Sequence, residues 1–87
     1  PPNPGPDERE GVSVQFAMGA MLADKGKSTV TAETGTARND WATYPTGPTG
    51  TVPLGTGGYM AVTSTTWFYC WDTKGKITDQ LNTAAAC

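Results

Sequence analysis

Hydrophobic and polar positions follow two different periods in this chain. Residues 65–71 read Thr-Thr-Trp-Phe-Tyr-Cys-Trp. β-Branched or aromatic side chains at nearly every position are typical of a strand that is largely buried. Successive strand residues point to opposite faces, which gives one set of Trp67, Tyr69 and Trp71 and a second set of Phe68 and Cys70. Both faces of this strand are therefore expected to be covered.

The residues that follow the strand predict a tight reversal. Asp72-Thr73-Lys74-Gly75 combines an Asp that can bond the backbone ahead of it with a Gly that can adopt a left-handed conformation. Residues 76–78 should then return antiparallel, with Ile77 directed into the core.

An amphipathic helix is predicted over residues 7–24. Its first turn is acidic, as the helix dipole favours, and Lys25-Gly26 provides a cation and a glycine at its end. At about 100° per residue, the helix has two apolar stripes on nearly opposite sides. The first consists of Val14, Ala17, Met18, Met21 and Leu22. The second, called the outer stripe below, consists of Val12, Phe16, Gly19, Ala20 and Ala23.

Two apolar sides are unusual for the surface helix of a monomer. The first stripe carries large side chains and should pack on the domain's own sheet. Small residues in the outer stripe would let another helix or backbone approach closely. Two interpretations remain open: a short helix that is merely rich in alanine, or a helix buried on both sides in an assembly.

The remaining segments carry weaker signals. Residues 1–6 contain four prolines and should be extended. Residues 28–32 alternate and suggest a short strand, with a turn at residues 33–36. Residues 37–58 form a long loop rich in Gly and Pro, and residues 79–87 could form one helical turn. The loop's expected anchors are Trp41, Tyr44, Val52 and Leu54.

The small size of the chain predicts a covalent staple. Its 87 residues make at most one small domain, which buries too little surface to be stable without support. A disulfide between Cys70 and Cys87, the only two cysteines, would join the C-terminal tail to the sheet. Free thiols or zinc ligation are the alternatives, and zinc is disfavoured because no histidine and no further cysteine is present. A disulfide implies an oxidising compartment.

Charge and composition argue against several functions. The net charge is −2 with no basic stripe, so no nucleic-acid partner is predicted. No run of apolar residues is long enough to span a membrane. Without histidine or paired carboxylates in a defined arrangement, the chain is predicted to be a non-enzyme with no metal or cofactor. The aromatic strand is interpreted as core, with a sugar-stacking platform as the alternative, and O-linked sugars on loop threonines are a weaker one.

A succession of short blocks resembles the globular part of type IV pilins and related prepilin-type proteins. The blocks lie between about residues 8 and 80, and the last is the most specific. They are Val14 to Lys25, Thr29 to Ala32, Asn39-Asp40-Trp41, Tyr44-Pro45-Thr46-Gly47, and Tyr69-Cys70-Trp71-Asp72-Thr73-Lys74-Gly75-Lys76-Ile77-Thr78.

The resemblance implies an α+β domain, spanning residues 7–87, in which the end of a long helix lies on a small antiparallel sheet with a cysteine-closed C-terminal region. It implies a subunit of an extracellular filament, with identical or homologous pilin subunits as partners. Pilins carry an apolar N-terminal spine that this sequence lacks. Either that segment was removed, or a separate short chain supplies it, as in split pilins. A type II secretion pseudopilin and a secreted carbohydrate- or surface-binding module that uses Trp41 and Tyr44 are the alternatives.

Overall fold

The computed structural model describes residues 5–87 and contains one helix and three strands in that part of the chain. Helix α1 spans Pro6–Lys25, and the strands are β1 (Glu33–Asp40), β2 (Ser64–Trp71) and β3 (Ile77–Leu81). The strands form one antiparallel sheet in the order β1-β2-β3. The helix packs on this sheet, which confirms the predicted α+β class.

Helix α1 begins and ends at residues suited to those positions. Gly5 is extended, and Pro6 occupies the first turn, where its missing N–H is not needed and its fixed φ suits the helix. Pro6 therefore belongs to the helix, and not to the predicted extended segment; residues 1–4 of that segment lie outside the described residues. At the other end Gly26 is left-handed (φ +65°), and the Lys27 N–H bonds the Leu22 carbonyl at 2.9 Å.

Strand β1 lies later in the chain than predicted. Residues 28–32 are not a strand, and residues 33–36, predicted to be a turn, open β1. Pairing determines this position, because Glu33 lies opposite Trp71 and Arg38 opposite Tyr69. Ala37 is the only β1 residue that is fully buried, so its sequence shows no hydrophobic alternation. Val30 donates its N–H to the Thr73 carbonyl beyond β2.

The β2–β3 reversal has the predicted chemistry. The Asp72 carboxylate accepts the Lys74 and Lys76 backbone N–H groups at 2.9 Å each, and Gly75 has φ +80°. Strand β3 starts at Ile77 and returns antiparallel to β2.

The C-terminal tail contains no helix, so the predicted helical turn is wrong; residues 79–81 belong to β3, and residues 82–84 form bends. Strand β3 runs to Leu81 because its residues continue the pairing with β2, with Gln80 opposite Tyr69. Residues 82–87, called the strap below, then cross to β1. The Ala37 N–H bonds the Ala85 carbonyl at 2.9 Å, and the Cys87 N–H bonds the Gly35 carbonyl at 3.0 Å. Backbone pairing and the disulfide thus override the helix propensity of the three alanines.

The core lies between the helix and the inner face of the sheet. Trp41 is at its centre, with ring centroids 6.0 Å from Tyr69 and 5.5 Å from Trp71. Residues 37–40 of the predicted loop belong to β1, and residues 41–63 connect β1 to β2 without helix or strand. Of the residues expected to anchor this segment, Trp41 and Leu54 are fully buried, and Tyr44 and Val52 are partly buried against the core.

Candidate assembly surface

The two stripes of helix α1 have opposite environments. All five residues of the first stripe are buried. All five residues of the outer stripe are exposed. Val12 is 54% exposed and Phe16 is 74% exposed, the two largest apolar side chains of the stripe. The helix therefore presents an apolar ridge on the side that faces away from its own sheet.

A groove runs beside the exposed ring of Phe16. It has a volume of about 370 Å³, and its walls are almost entirely apolar. The residues that line it are Val12, Gln15, Phe16, Gly19 and Ala20. Of the outer stripe, only Ala23 lies beyond the groove. The protruding ring of Phe16 and the groove thus lie side by side on one face of the helix.

Gly19 has no role in the packing of its own domain. A Cβ atom at this position would meet nothing within 4 Å, so the missing side chain makes no room for another part of the fold. A glycine within a helix costs about 1 kcal/mol relative to alanine. No packing contact among the described residues offsets this cost. What the glycine provides is open space next to Phe16.

The direction of the ridge is fixed by polar links between the helix and the sheet. The Glu10 carboxylate accepts the backbone N–H groups of Thr66 and Trp67, at 3.1 and 3.0 Å, and the Tyr69 hydroxyl at 2.9 Å. The Gln80 side-chain amide donates to the Tyr69 hydroxyl at 2.8 Å. Glu10 therefore ties the first half of the helix to strand β2.

Gln15 makes the second link. Its side-chain amide donates to the Gly75 carbonyl at 2.9 Å, and its side-chain oxygen accepts the Ile77 N–H at 2.8 Å. The first bond reaches the β2–β3 connection, and the second reaches the first residue of β3. Sequence reasoning missed Glu10 and Gln15 as structural residues. Glu10 lies one turn before Val14, in line with the buried stripe, and Gln15 lies at the edge of that stripe, so both side chains can reach the sheet.

The predicted core residues lie together on the inner side. Val14, Met18, Met21, Leu22 and Tyr69 are buried, while Trp67 and Ile77 are partly buried and pack against the same cluster. Trp71 and Val30 join this core and are 1% and 2% exposed.

Trp41 is unsuited to the sugar-stacking role considered for it. Its side chain is 0% exposed, and its indole N–H donates to the Thr65 hydroxyl at 2.9 Å. Tyr44 is partly buried, with the Arg38 guanidinium 4.9 Å from the centre of its ring. An external ligand therefore has no access to Trp41.

Two tyrosines have raised pKa values. Burial disfavours the phenolate and raises the pKa of Tyr69, and the nearby Glu10 carboxylate raises it further against an opposing effect of the Gln80 amide. The exposed hydroxyl of Tyr59 donates to the Asp24 carboxylate, and this bond raises the pKa of Tyr59. Among residues 5–87, no group of three or more acidic or cysteine side chains is placed to hold a metal ion.

The predicted disulfide is present. Cys70 and Cys87 are bonded, with their Cα atoms 6.0 Å apart. Cys70 is fully buried, whereas Cys87 is exposed. The bond fixes the strap to the central strand of the sheet.

Comparisons with known proteins give no assignment. No family model matches the chain, and no curated protein or solved structure is significantly similar to it. In the part of the chain that the structure describes, no helix is both long enough and apolar enough to cross a membrane.

Proposed function

We propose that this protein is a structural subunit of an extracellular, type IV pilus-like filament. In this proposal the outer stripe of helix α1 packs against a hydrophobic spine helix and neighbouring subunits, and the spine belongs either to a separate short chain or to a longer form of this one. The observation that carries the proposal is the exposed Phe16 beside the open position at Gly19. The sequence blocks that resemble pilins are the second support.

The energetics of the outer stripe favour a covered state. Complete burial of a phenylalanine side chain is worth roughly 1.5–3 kcal/mol relative to exposure, and Phe16 leaves most of this unrealised in the single chain. Small residues at Gly19, Ala20 and Ala23 let a second helix approach closely. Close approach increases the dispersion contacts that an apolar knob such as Phe16 can make.

The small area of the outer stripe favours an assembly with several interfaces over a dimer held by this surface alone. From Val12 to Ala23 the helix rises about 16 Å at 1.5 Å per residue. A surface of that length and one helix width is well below the roughly 800 Å² per partner of a stable interface. Several neighbours, or a spine helix together with neighbours, would be needed to hold the subunit. A filament provides such a set of repeated contacts.

The disulfide is consistent with this location. Disulfides persist in secreted and surface proteins, and this one joins the terminal residue to the sheet. An extracellular subunit would retain it.

A charged outer stripe tests the proposal. The double substitution Phe16→Glu with Ala20→Glu places two carboxylates on the ridge. Thr34→Glu serves as the control because Thr34 is exposed on β1, the strand that does not contact helix α1. Electron microscopy and mass spectrometry of material sheared from producing cells should find filaments of the wild type and the control. The double variant should give none, while its purified domain unfolds at the same temperature as the wild type.

Two results would contradict the proposal. Normal filaments from the double variant would show that the ridge is not an assembly surface. Lost protein secretion with surface fibres unchanged would indicate a pseudopilin instead.

A further inference from the structure

The strap is attached to the sheet without any buried side chain of its own. All residues from Asn82 to Cys87 are exposed. The strap is held by the pairing of Ala86 with Thr36, by the two backbone hydrogen bonds to Gly35 and Ala37, and by the disulfide. Backbone groups are the same in every residue, so nothing in these contacts selects the strap of the same molecule.

The segment from Gly35 to Ala37 is therefore a strand-acceptor site that is already filled. Between Glu33 and Arg38 the pairing of β1 with β2 is irregular, and the Ala37 N–H points to the strap. Without its occupant, a backbone edge of this kind would accept another extended segment. The strap is the occupant that the structure shows.

The disulfide is the single covalent cross-link between the strap and the sheet, and reduction would break it. A dithiol reductant would attack the sulfur of Cys87, the exposed member of the pair, and Cys70 would leave as a thiolate and take up a proton. The second thiol of the reductant then releases Cys87 and closes a cyclic disulfide. The protein gains two thiols, and only the two backbone bonds still hold the strap.

We propose that the strap is a redox-released strand, and that the strap of a second copy can occupy the same site on β1. Exchange joins two copies because the Cys70 thiol of one lies next to the Cys87 thiol of the other. Oxidised glutathione then accepts two electrons, yields two reduced glutathiones and closes the intermolecular bond. At low protein concentration the strap of the same chain occupies the site, because its effective concentration near its own β1 exceeds that of straps from other molecules. This proposal depends on β1, the strap and Cys70 of β2, and not on the outer stripe, so the two proposals can fail separately.

Hydrogen exchange tests the release step. The Ala37 N–H bonds the strap, whereas the Trp41 N–H bonds the Thr63 carbonyl and reports on the rest of the fold. Upon reduction with dithiothreitol, exchange at Ala37 should speed up at least tenfold, while exchange at Trp41 stays within twofold. Equal acceleration at both amides would show global unfolding, and unchanged exchange at Ala37 would show a strap that needs no disulfide. Either result overturns the proposal.

Complementary single-cysteine variants test the exchange step. Cys70→Ser and Cys87→Ser chains cannot close the bond internally, yet the strap of the first can reach Cys70 of the second. A concentrated equimolar mixture treated with oxidised glutathione should give mainly the heterodimer with the Cys70–Cys87 linkage. Homodimers and heterodimers in statistical proportion would overturn the proposal.

A variant of the acceptor provides the matched control. Ala37→Pro, added to the Cys87→Ser chain, removes the N–H that bonds the strap. Heterodimer yield should fall at least tenfold while Trp41 exchange stays protected. An undiminished yield would show that strand pairing does not guide the linkage.

Discussion

Removal of the Glu10 carboxylate should be the most damaging polar substitution on helix α1. Glu10 accepts three hydrogen bonds, from the N–H groups of Thr66 and Trp67 and from the hydroxyl of Tyr69. Glu10→Ala leaves these donors without their charged acceptor at a partly buried site. Hydrogen bonds to charged groups contribute roughly 1.5–3 kcal/mol each, and water can replace part of this at an open site. We expect a loss of about 2–4 kcal/mol in the free energy of unfolding.

This loss is large for a domain of 87 residues. Total stability at typical values per residue is roughly 4–13 kcal/mol. A change of 1 kcal/mol shifts the melting temperature of such a domain by about 4–8 °C. Glu10→Ala should therefore melt roughly 8–32 °C below the wild type.

Urea unfolding followed by tryptophan fluorescence measures the change directly. Glu8→Ala is the matched control because Glu8 lies two residues earlier on the same helix and is exposed. Glu10→Gln should have an intermediate free energy of unfolding. The glutamine oxygen can still accept the Trp67 N–H and the Tyr69 hydroxyl, but its NH₂ group would place a donor opposite the Thr66 N–H. If Glu10→Ala and Glu8→Ala differ by less than about 0.5 kcal/mol, the link from Glu10 to β2 contributes nothing and the reasoning is wrong.

Two further predictions concern pH and backbone conformation. The pKa of Tyr69 is raised from its ordinary value of 10.0, so the folded state holds its proton more tightly; this stability is complete below about pH 10 and is lost as the pH rises above it. The difference in melting temperature between wild type and Tyr69→Phe should shrink or reverse over that alkaline range, and a pH-independent difference would contradict the shift. Gly75→Ala should destabilise by about 1–3 kcal/mol, because φ is +80° and the new Cβ would lie 2.8 Å from Leu22 Cδ1. Gly35→Ala, whose Cβ would find its nearest neighbour at 3.7 Å, is its control in urea unfolding, and equal losses for both would contradict the assignment.

Strong local signals made the helix, strand β2 and the reversal predictable. The buried stripe of α1 repeats at helical spacing, and Trp67 to Trp71 are suited to a pleated, covered surface. Asp72 and Gly75 carry the chemistry that their turn requires. The two cysteines left few alternatives to the bond that is present.

Elements defined by pairing were not predictable. Strand β1 contains polar residues and a single buried alanine, so only its partner β2 reveals it. The strap pairs through its backbone, which leaves no trace in its side chains. Glu10 and Gln15 could be solvated side chains in any helix, and only the position of the sheet shows what they bind.

The links from Glu10 and Gln15 also restrict the freedom of the helix about its own axis. The two residues hold it at separate places along its length, one to strand β2 and one to the β2–β3 connection. A rotation by a single residue, about 100°, would break both attachments and turn Phe16 toward the flank of the domain. A molecule that meets this side thus encounters a rigid surface with its aromatic ring already aimed, and binding would cost little ordering entropy in the helix.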